Sequence, residues 1–294
     1  MLEKSNRRHI PVTGSQNTID FAGQLVLITG AGRGLGRSYA LGFAQRGADV
    51  VVHDAGVNQD GTGGDTSVAD AVVEEIRTAS GSASAAYENI ANRQGCDDLI
   101  AGVIRDHGRI DVLVSNAGIV RFIPDDQIDE QNAEEMLATN AMSSLWLTIA
   151  LKPHLIAQGY GRIVYTVSGH GTSPSHEPNE LLLYGMGKAA VFGVMNMTAG
   201  AFGEADIHVN AISPVAATRV LRRPVTGDEY AADKVTPAVL LLGSREWTSS
   251  GTIVTAADGR FGLRRVATEH QLIPDDHEGT PETLWDHWRD TLQS

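Results

Sequence analysis

The feature that most restricts the fold is a glycine-rich turn that directly follows a short apolar run. Leu25–Ile28 reads LVLI without a polar side chain, and Thr29–Gly36 continues as TGAGRGLG. An apolar run of this length is typical of a strand buried on both faces, and helical character follows over Ser38–Gln45. A strand, a glycine-rich turn and a helix in this order predict a dinucleotide-binding unit, although the glycines alone also suit a plain connecting turn.

Strand-like and helical segments alternate along the rest of the chain. Further strands are predicted at Ala48–His53, Ala83–Tyr87, Val112–Ser115, Arg162–Val167, His208–Ile212 and Gly251–Thr255. Helices are predicted at Ser67–Thr78, Cys96–Asp106, Gln131–Ala157, Tyr184–Phe202 and Lys234–Leu242. This alternation predicts an α/β fold with a single Rossmann-type, doubly wound parallel sheet and helices on both faces.

The two ends of the chain do not follow the alternation. Residues 1–20 are polar and lack apolar periodicity, so we expect a flexible N-terminal arm there. One domain is then expected over residues 21–266, followed by a charged C-terminal tail over 267–294.

The composition disfavours several classes of binding partner and several cellular locations. A formal charge of −13 disfavours nucleic acid and anionic membrane surfaces, both of which attract basic patches. Cys96 is the single cysteine, so no internal disulfide can form. No apolar run approaches the roughly 20 residues that span a bilayer, and the first residues lack a signal-peptide pattern. A cytoplasmic protein without a metal site is expected.

The turn and the end of the second strand together predict a cofactor. Gly30, Gly34 and Gly36 allow close approach to phosphate oxygens, and a helix beginning near Leu35 offers free N–H groups to a pyrophosphate. Asp54 follows the second strand, where a carboxylate binds ribose hydroxyls and repels a 2′-phosphate. Asp54 therefore favours NAD over NADP, unless it only caps the next turn. Arg33 has the opposite effect, because a basic side chain attracts a phosphate.

The motifs in their order resemble the short-chain dehydrogenase/reductase family. The matching residues are Thr29–Gly36, Ser115–Gly118, Asn140, Ser168, Tyr184 with Lys188, and Asn210–Pro214. The resemblance covers roughly residues 22–266. Within the family, the chain is similar to the (3R)-hydroxyacyl-CoA dehydrogenase part of peroxisomal multifunctional enzymes and their bacterial single-domain relatives, which share a glycine-rich insertion at Gly61–Asp65.

Four residues form the predicted catalytic group. Tyr184 would transfer the proton, and Lys188, one helical turn later, would lower the tyrosine pKa from about 10. Ser168 would hydrogen-bond the substrate oxygen. The resemblance further implies that Lys188 binds the nicotinamide ribose and that Asn140 holds a water linking Lys188 to solvent.

Other residues are assigned to the cofactor through the resemblance. Besides those named above, they are Asn89, Ile90, Asn116, Ala117, Gly118, Pro214 and Thr218. The chain departs from the family at Ser115, where asparagine is usual, and at Asn89, where an acid is common. Thr218 also suits a helix N-cap.

The segment between Ser168 and Tyr184 is the main departure. The two residues lie sixteen positions apart, and the family usually has thirteen. Residues expected on the substrate side are His170, Thr172 and Leu183. His176 and Glu177 either touch a polar substrate group or are solvated. The resemblance also implies a mobile lid at 215–232, in which Arg219, Arg222 and Arg223 meet a CoA phosphate or are surface charge.

The sequence thus predicts an NAD(H)-dependent oxidoreductase that interconverts a secondary alcohol and a ketone. The substrate classes are hydroxyacyl-CoA, steroid, terpene or another hydrophobic alcohol. A catalytically idle NAD-binding sensor or scaffold is the alternative. A methyltransferase shares the glycine turn and the acid but not the Tyr184–Lys188 pair. Tyr184–Phe202 is apolar around much of its circumference, which favours a homo-oligomer, tetramer or dimer.

Overall fold

A computed structural model describes residues 18–174, 179–217, 226–265 and 281 of the chain. One compact unit ends at Leu263 and contains every element discussed below up to that residue. Most of the predicted arm, most of the tail and part of the lid fall outside the described residues. So do the predicted positions Thr218, His176, Glu177 and the three lid arginines.

The described residues form one eight-stranded sheet with helices between the strands. The strands are β1 (Leu25–Thr29), β2 (Asp49–His53), β3 (Ser82–Ala86), β4 (Val112–Ser115), β5 (Tyr160–Thr166), β6 (Asp206–Val215), β7 (Ile253–Ala257) and β8 (Arg260–Arg264). The helices are α1 (Gly34–Ala44), α2 (Ser67–Thr78), α3 (Arg93–His107), α4 (Glu130–Leu137), α5 (Ser143–Gln158), α6 (Gly169–Thr172), α7 (Leu182–Ala199) and α8 (Thr236–Gly243). Single 3₁₀ turns lie at Asp125–Gln127, Asn179–Leu181 and Ala232–Lys234.

The strand order is β3-β2-β1-β4-β5-β6-β7-β8, which confirms the predicted doubly wound α/β class. Strand β1 pairs in parallel with β2 on one side and β4 on the other, so that Leu27 faces Val51 and Leu113. The order reverses between β1 and β4. Ligands of such sheets bind at the carboxyl ends of the strands beside this reversal.

Alternate residues of the central strands enter two separate cores. Val26 and Ile28 pack with residues of α1, α2 and α8, whereas Leu25 and Leu27 pack with residues of α3, α5 and α7. All five residues of β1 are buried. Burial on both faces explains why this strand is a continuous apolar run rather than an alternating one.

The predicted helix Gln131–Ala157 is interrupted. A π-helical segment, Ala138–Met142, separates α4 from α5 and contains the buried Asn140. A π-bulge of this kind inserts one extra residue into the helix and rotates the side chains that follow it. Hydrophobic periodicity did not reveal this segment.

Strand β8 extends the sheet beyond the last predicted strand. Asp258 and Gly259 adopt φ values of +48° and +72° between β7 and β8. Two residues with positive φ form a tight hairpin turn, so β8 runs antiparallel to β7. The Asp-Gly pair was the available indication in the sequence. Among the described residues, no helix has the length and apolar content needed to cross a membrane.

Candidate active site

A cleft of about 1610 Å³ opens at the carboxyl ends of the strands. Many of the residues assigned from sequence line it together: Gly30, Arg33, Gly34, Leu35, Gly36, Asp54, Asn89, Ile90, Asn116, Ala117, Gly118, Ser168, His170, Tyr184, Lys188 and Pro214. The structure therefore brings the predicted cofactor and catalytic groups to one continuous surface.

The glycine-rich turn is shaped for close backbone contact. Gly30 has φ of +64°, and a Cβ there would lie 2.8 Å from the Ala117 Cα. A Cβ on Gly36 would lie 2.1 Å from the Gly30 carbonyl oxygen. Arg33 precedes α1 in extended conformation and its side chain does not cap the helix. The first N–H groups of α1 therefore remain available to an anion, which fits the pyrophosphate of a dinucleotide.

Asp54 connects the turn to the end of β2. Its Oδ2 accepts a hydrogen bond from the Gly32 N–H at 2.9 Å, and its Oδ1 accepts one from the Gly56 N–H at 2.8 Å. The carboxylate thus has a structural role in the loop. Each oxygen keeps a second lone pair, so this role leaves acceptors for ribose hydroxyls. Arg33 donates to the Val57 carbonyl oxygen only at 3.4 Å.

Asn116 joins the end of β4 to the turn. Its side-chain amide donates to the carbonyl oxygens of Thr29 and Gly30, at 3.0 and 3.1 Å. The Thr29 hydroxyl oxygen accepts from the N–H groups of Asn116 and Ala117, both at 3.1 Å. These bonds fix the two strand ends on either side of the sheet reversal.

Asn140 supports the wall of the cleft rather than lining it. Its Oδ1 accepts from the Ile119 N–H at 2.7 Å, and its Nδ2 donates to the Ile119 carbonyl oxygen at 2.8 Å. A Cβ on Gly118 would stand 3.0 Å from Asn140 Oδ1, and one on Gly187 would stand 3.2 Å from Asn140 Cβ. The π-helical segment therefore anchors the chain that leaves β4 against α7.

Ser168, Tyr184 and Lys188 come together at the end of β5. Ser168 and Tyr184 both line the cleft, and they lie close enough that the Ser168 side chain acts to lower the pKa of the Tyr184 hydroxyl. Lys188 Nζ lies 5.8 Å from the centre of the Tyr184 ring and donates to the Thr166 carbonyl oxygen at 2.9 Å. Lys188 follows Tyr184 by one turn of α7, which explains why both reach the same side of the cleft.

The pKa of Tyr184 shifts in a different direction from the one that the sequence predicts. Desolvation raises the pKa of Tyr184, and the hydrogen bond from Ser168 opposes this only in part. Desolvation also lowers the pKa of Lys188 to about 8. The net shift of the Tyr184 pKa is therefore upward, opposite to the lowering expected from Lys188, because burial disfavours both charged forms.

The longer segment after Ser168 begins as an ordered turn of helix. The Ser168 Oγ accepts from the His170 N–H at 3.3 Å and caps α6. The His170 ring stands edge-on to the Tyr184 ring, with centroids 6.3 Å apart. A Cβ on Gly171 would lie 2.4 Å from the Ala189 nitrogen, so this glycine lets α6 lie directly on α7.

Of the three predicted substrate-side residues, only His170 lines the cleft. The Thr172 hydroxyl donates to the Ser168 carbonyl oxygen at 3.1 Å, a bond that stabilises the α6 turn. Leu183 is buried in a small apolar cluster with Ile119 and Met136. Its place is in the core because α7 turns that side chain away from the cleft.

We expect Gly171→Ala to lower the melting temperature and reduce kcat/KM by about 100-fold, because a shift of about 1 Å in Ser168 misplaces a reacting group. Thermal unfolding and a steady-state assay measure the two effects. Gly169→Ala is the matched control for stability, since a Cβ there has no described neighbour within 4 Å. Equal melting temperatures for the two variants would contradict the tight packing of α6.

Sequence reasoning did not assign several residues that line the cleft. They are Asn58, Gln59, Gly61, Thr62 and Gly63 after β2, Arg121 after β4, and Glu134 and Glu135 on α4. The glycine-rich insertion was visible in the sequence, but its position over the cleft depends on contacts about 60 residues away along the chain.

Comparisons with known proteins agree with this architecture. The chain matches the short chain dehydrogenase family over residues 24–228. It is 34% identical over 273 residues to peroxisomal multifunctional enzyme type 2 of Mus musculus, covering 91% of this chain and 36% of that protein. A short chain dehydrogenase structure from Mycobacterium avium is 32% identical, with a TM-score of 0.77 over 93% of this chain and 96% of that one.

A second structure is of a 7α-hydroxysteroid dehydrogenase complexed with NADH and 7-oxo glycochenodeoxycholic acid. It is 28% identical, with a TM-score of 0.72 over 82% of this chain and 94% of that one. The chain therefore belongs to the short-chain dehydrogenase/reductase family. It spans little more than a third of the mouse protein's length.

Proposed function

We propose that the protein is an NAD(H)-dependent dehydrogenase or ketoreductase that interconverts a secondary alcohol and a ketone. The observation that carries the proposal is that Ser168, Tyr184 and Lys188 line the same cleft as the uncapped glycine-rich turn, with Lys188 Nζ 5.8 Å from the centre of the Tyr184 ring. This arrangement places a proton-transferring hydroxyl and a dinucleotide site on one surface.

The chain's own residues manage the proton in this reaction. The nicotinamide, when bound, supplies or accepts the hydride at its ring. During ketone reduction, Ser168 hydrogen-bonds the substrate oxygen, and the Tyr184 hydroxyl gives its proton to the developing alkoxide. During alcohol oxidation, the deprotonated Tyr184 oxygen takes the hydroxyl proton instead. The Lys188 ammonium group stabilises the phenolate through its charge.

The proposed residues at the adenosine end support NAD rather than NADP. The Asp54 carboxylate lines the cleft, and a 2′-phosphate beside it would meet a like charge. Wild-type protein is expected to turn over NAD with a higher kcat/KM than NADP. Asp54→Asn should reduce that preference roughly tenfold, since it removes the charge and keeps an oxygen acceptor for one of the two loop N–H groups that Asp54 binds.

Steady-state kinetics with both cofactors checks this prediction. Asp98→Asn is the control, because Asp98 is an exposed carboxylate on α3 that accepts from Gln94. A wild-type preference for NADP would contradict the role assigned to Asp54.

The chemical class of the substrate is the next property to determine. We propose a hydrophobic secondary alcohol, either a hydroxyacyl-CoA, a steroid, a terpene or a related compound. An assay of NADH formation over members of each class tests the proposal. Turnover of one class identifies it, whereas tight NADH binding without turnover of any class favours the idle sensor or scaffold.

We also propose that the protein acts as a homo-oligomer. Helices α5 and α7 leave large apolar side chains exposed, among them Ile149, Ile156, Met186 and Met197 at 44%, 53%, 43% and 80% exposure. Scattered exposed apolar residues are ordinary, but a group of them on two adjacent helices is typical of a subunit interface.

A further inference from the structure

The connection between β2 and α2 forms a closed loop of its own. Residues 56–65, here called the strap, begin and end at a hydrogen bond from the Asp65 N–H to the Gly56 carbonyl oxygen, at 3.0 Å. At the tip, the Asn58 N–H donates to the Thr62 carbonyl oxygen at 2.7 Å. The Asp60 carboxylate accepts from both the N–H and the hydroxyl of Thr62, at 2.9 and 2.7 Å. The strap therefore has a defined shape.

The strap lies across the cofactor cleft. It leaves the sheet at β2, yet its tip bonds to the segment after β4, and β1 lies between those two strands. The Val120 N–H donates to the Gln59 carbonyl oxygen at 3.0 Å, and Arg121 Nε donates to the Asp60 carbonyl oxygen at 2.8 Å. To make these contacts the strap must pass over the carboxyl end of β1, where the glycine-rich turn begins.

Arg121 joins the strap to a third element. Its Nη1 donates to Asn132 Oδ1 at 2.9 Å, and its Nη2 lies 2.5 Å from Glu135 Oε2. Asn132 and Glu135 belong to α4. One planar guanidinium thus holds the strap, the chain after β4 and α4 at the same time, which an ammonium group cannot reproduce.

This ion pair differs from ordinary surface pairs. The Arg121 side chain is only 18% exposed, although that of Glu135 is 42% exposed. Asn132 and Glu135 each make a further side-chain hydrogen bond, to Asp129 and Gln131. Gln131 donates to Glu135, and this bond together with Arg121 lowers the pKa of that carboxyl. Exposed pairs contribute little, whereas a largely buried, multiply bonded arginine holds its partners more strongly.

We propose that Arg121 is a positioning residue that keeps the strap closed over the bound dinucleotide and so limits the rate at which the nicotinamide cofactor dissociates. The inference rests on the proposed function, because that function identifies the ligand of the cleft as a nicotinamide dinucleotide. A dinucleotide seated on the glycine-rich turn lies under the strap, so release requires the Arg121 contacts to break. Removing the guanidinium therefore accelerates release more than it affects capture.

Stopped-flow displacement of NADH tests the proposal in Arg121→Met, Arg121→Lys and the control Arg37→Met. Arg37 pairs with Glu75 on the exposed surfaces of α1 and α2, away from the cleft. We expect the dissociation rate constant to rise about tenfold or more in Arg121→Met, with the association rate constant within about twofold of wild type. Arg121→Lys should show most of this rise, and Arg37→Met none.

The outcomes are distinguishable. An unchanged dissociation rate constant in folded Arg121→Met, or an equal rise in Arg37→Met, overturns the role of Arg121. If Arg121→Met does not fold, Arg121→Lys decides, because it keeps the charge but loses the three-way contact. A wild-type protein that binds neither NADH nor NADPH overturns the proposed function itself, and the inference with it.

Discussion

Tyr184→Phe is expected to lower kcat/KM for alcohol oxidation by about 10²–10⁴-fold, the range that a general acid–base group contributes. The phenyl ring keeps the packing of Tyr184 against His170, so only the proton-transferring hydroxyl is lost. NADH affinity should stay within about twofold of wild type, because the glycine-rich turn and the ends of β1 and β4 are untouched. Steady-state kinetics and NADH titration measure the two quantities.

Tyr160→Phe provides the matched control for that variant. The Tyr160 hydroxyl is also buried, has no hydrogen-bond partner among the described residues, and belongs to the first residue of β5, at the opposite end of the strand. Its removal should leave kcat/KM unchanged. Wild-type turnover in Tyr184→Phe would refute the assignment of the proton transfer to Tyr184.

Arg162→Met is expected to lower the free energy of unfolding by about 3–5 kcal/mol, the combined cost of leaving several backbone carbonyl oxygens without their donor. Arg162 in β5 is completely buried. Its guanidinium donates to the carbonyl oxygens of Ser244, Gly161 and Asp206, each at 2.9 Å, and to the Asp206 carboxylate at 2.8 Å. The Asp206 carboxylate is half exposed and can be hydrated, but methionine leaves the buried carbonyl oxygens of Ser244 and Gly161 without this donor.

Urea unfolding at a fixed protein concentration measures this effect, because an oligomer's stability depends on concentration. Arg245→Met is the control. The guanidinium of Arg245 stands 4.6 Å from the centre of the Tyr160 ring, as does that of Arg162, but Arg245 is exposed. Its loss should cost less than about 1 kcal/mol. A similarly small loss in Arg162→Met would show that the buried contacts do not stabilise the fold.

Local sequence patterns predict the parts of the fold that depend on residues close together in the sequence. Leu25–Ile28 is apolar because β1 is covered on both faces, and the glycines after it are required by contacts shorter than a side chain allows. Tyr184 and Lys188 share a helix face through their spacing alone. These features predict the doubly wound parallel sheet and the Tyr184–Lys188 pair without knowledge of tertiary contacts.

The remaining features depend on contacts between distant segments. The π-helical segment around Asn140 is fixed by Ile119, and the strap is fixed by Arg121, neither of which is visible as a pattern. Leu183 looked like a substrate-side residue because it lies in the loop before Tyr184, but helix rotation directs it into the core. The Asp258-Gly259 pair is a sequence signal for a hairpin turn, but the hairpin is not among the elements predicted from the sequence.

The most direct test of the central claim follows the hydrogen that is transferred. An alcohol substrate found in the activity screen is deuterated at its carbinol carbon, incubated with the protein and NAD, and the nicotinamide is examined by mass spectrometry and NMR. We predict that one deuterium appears on the nicotinamide ring for each ketone formed, and that Tyr184→Phe forms neither above the low residual rate. Ketone formation with the deuterium released to solvent, or tight NADH binding with no ketone from any alcohol class, would contradict the account.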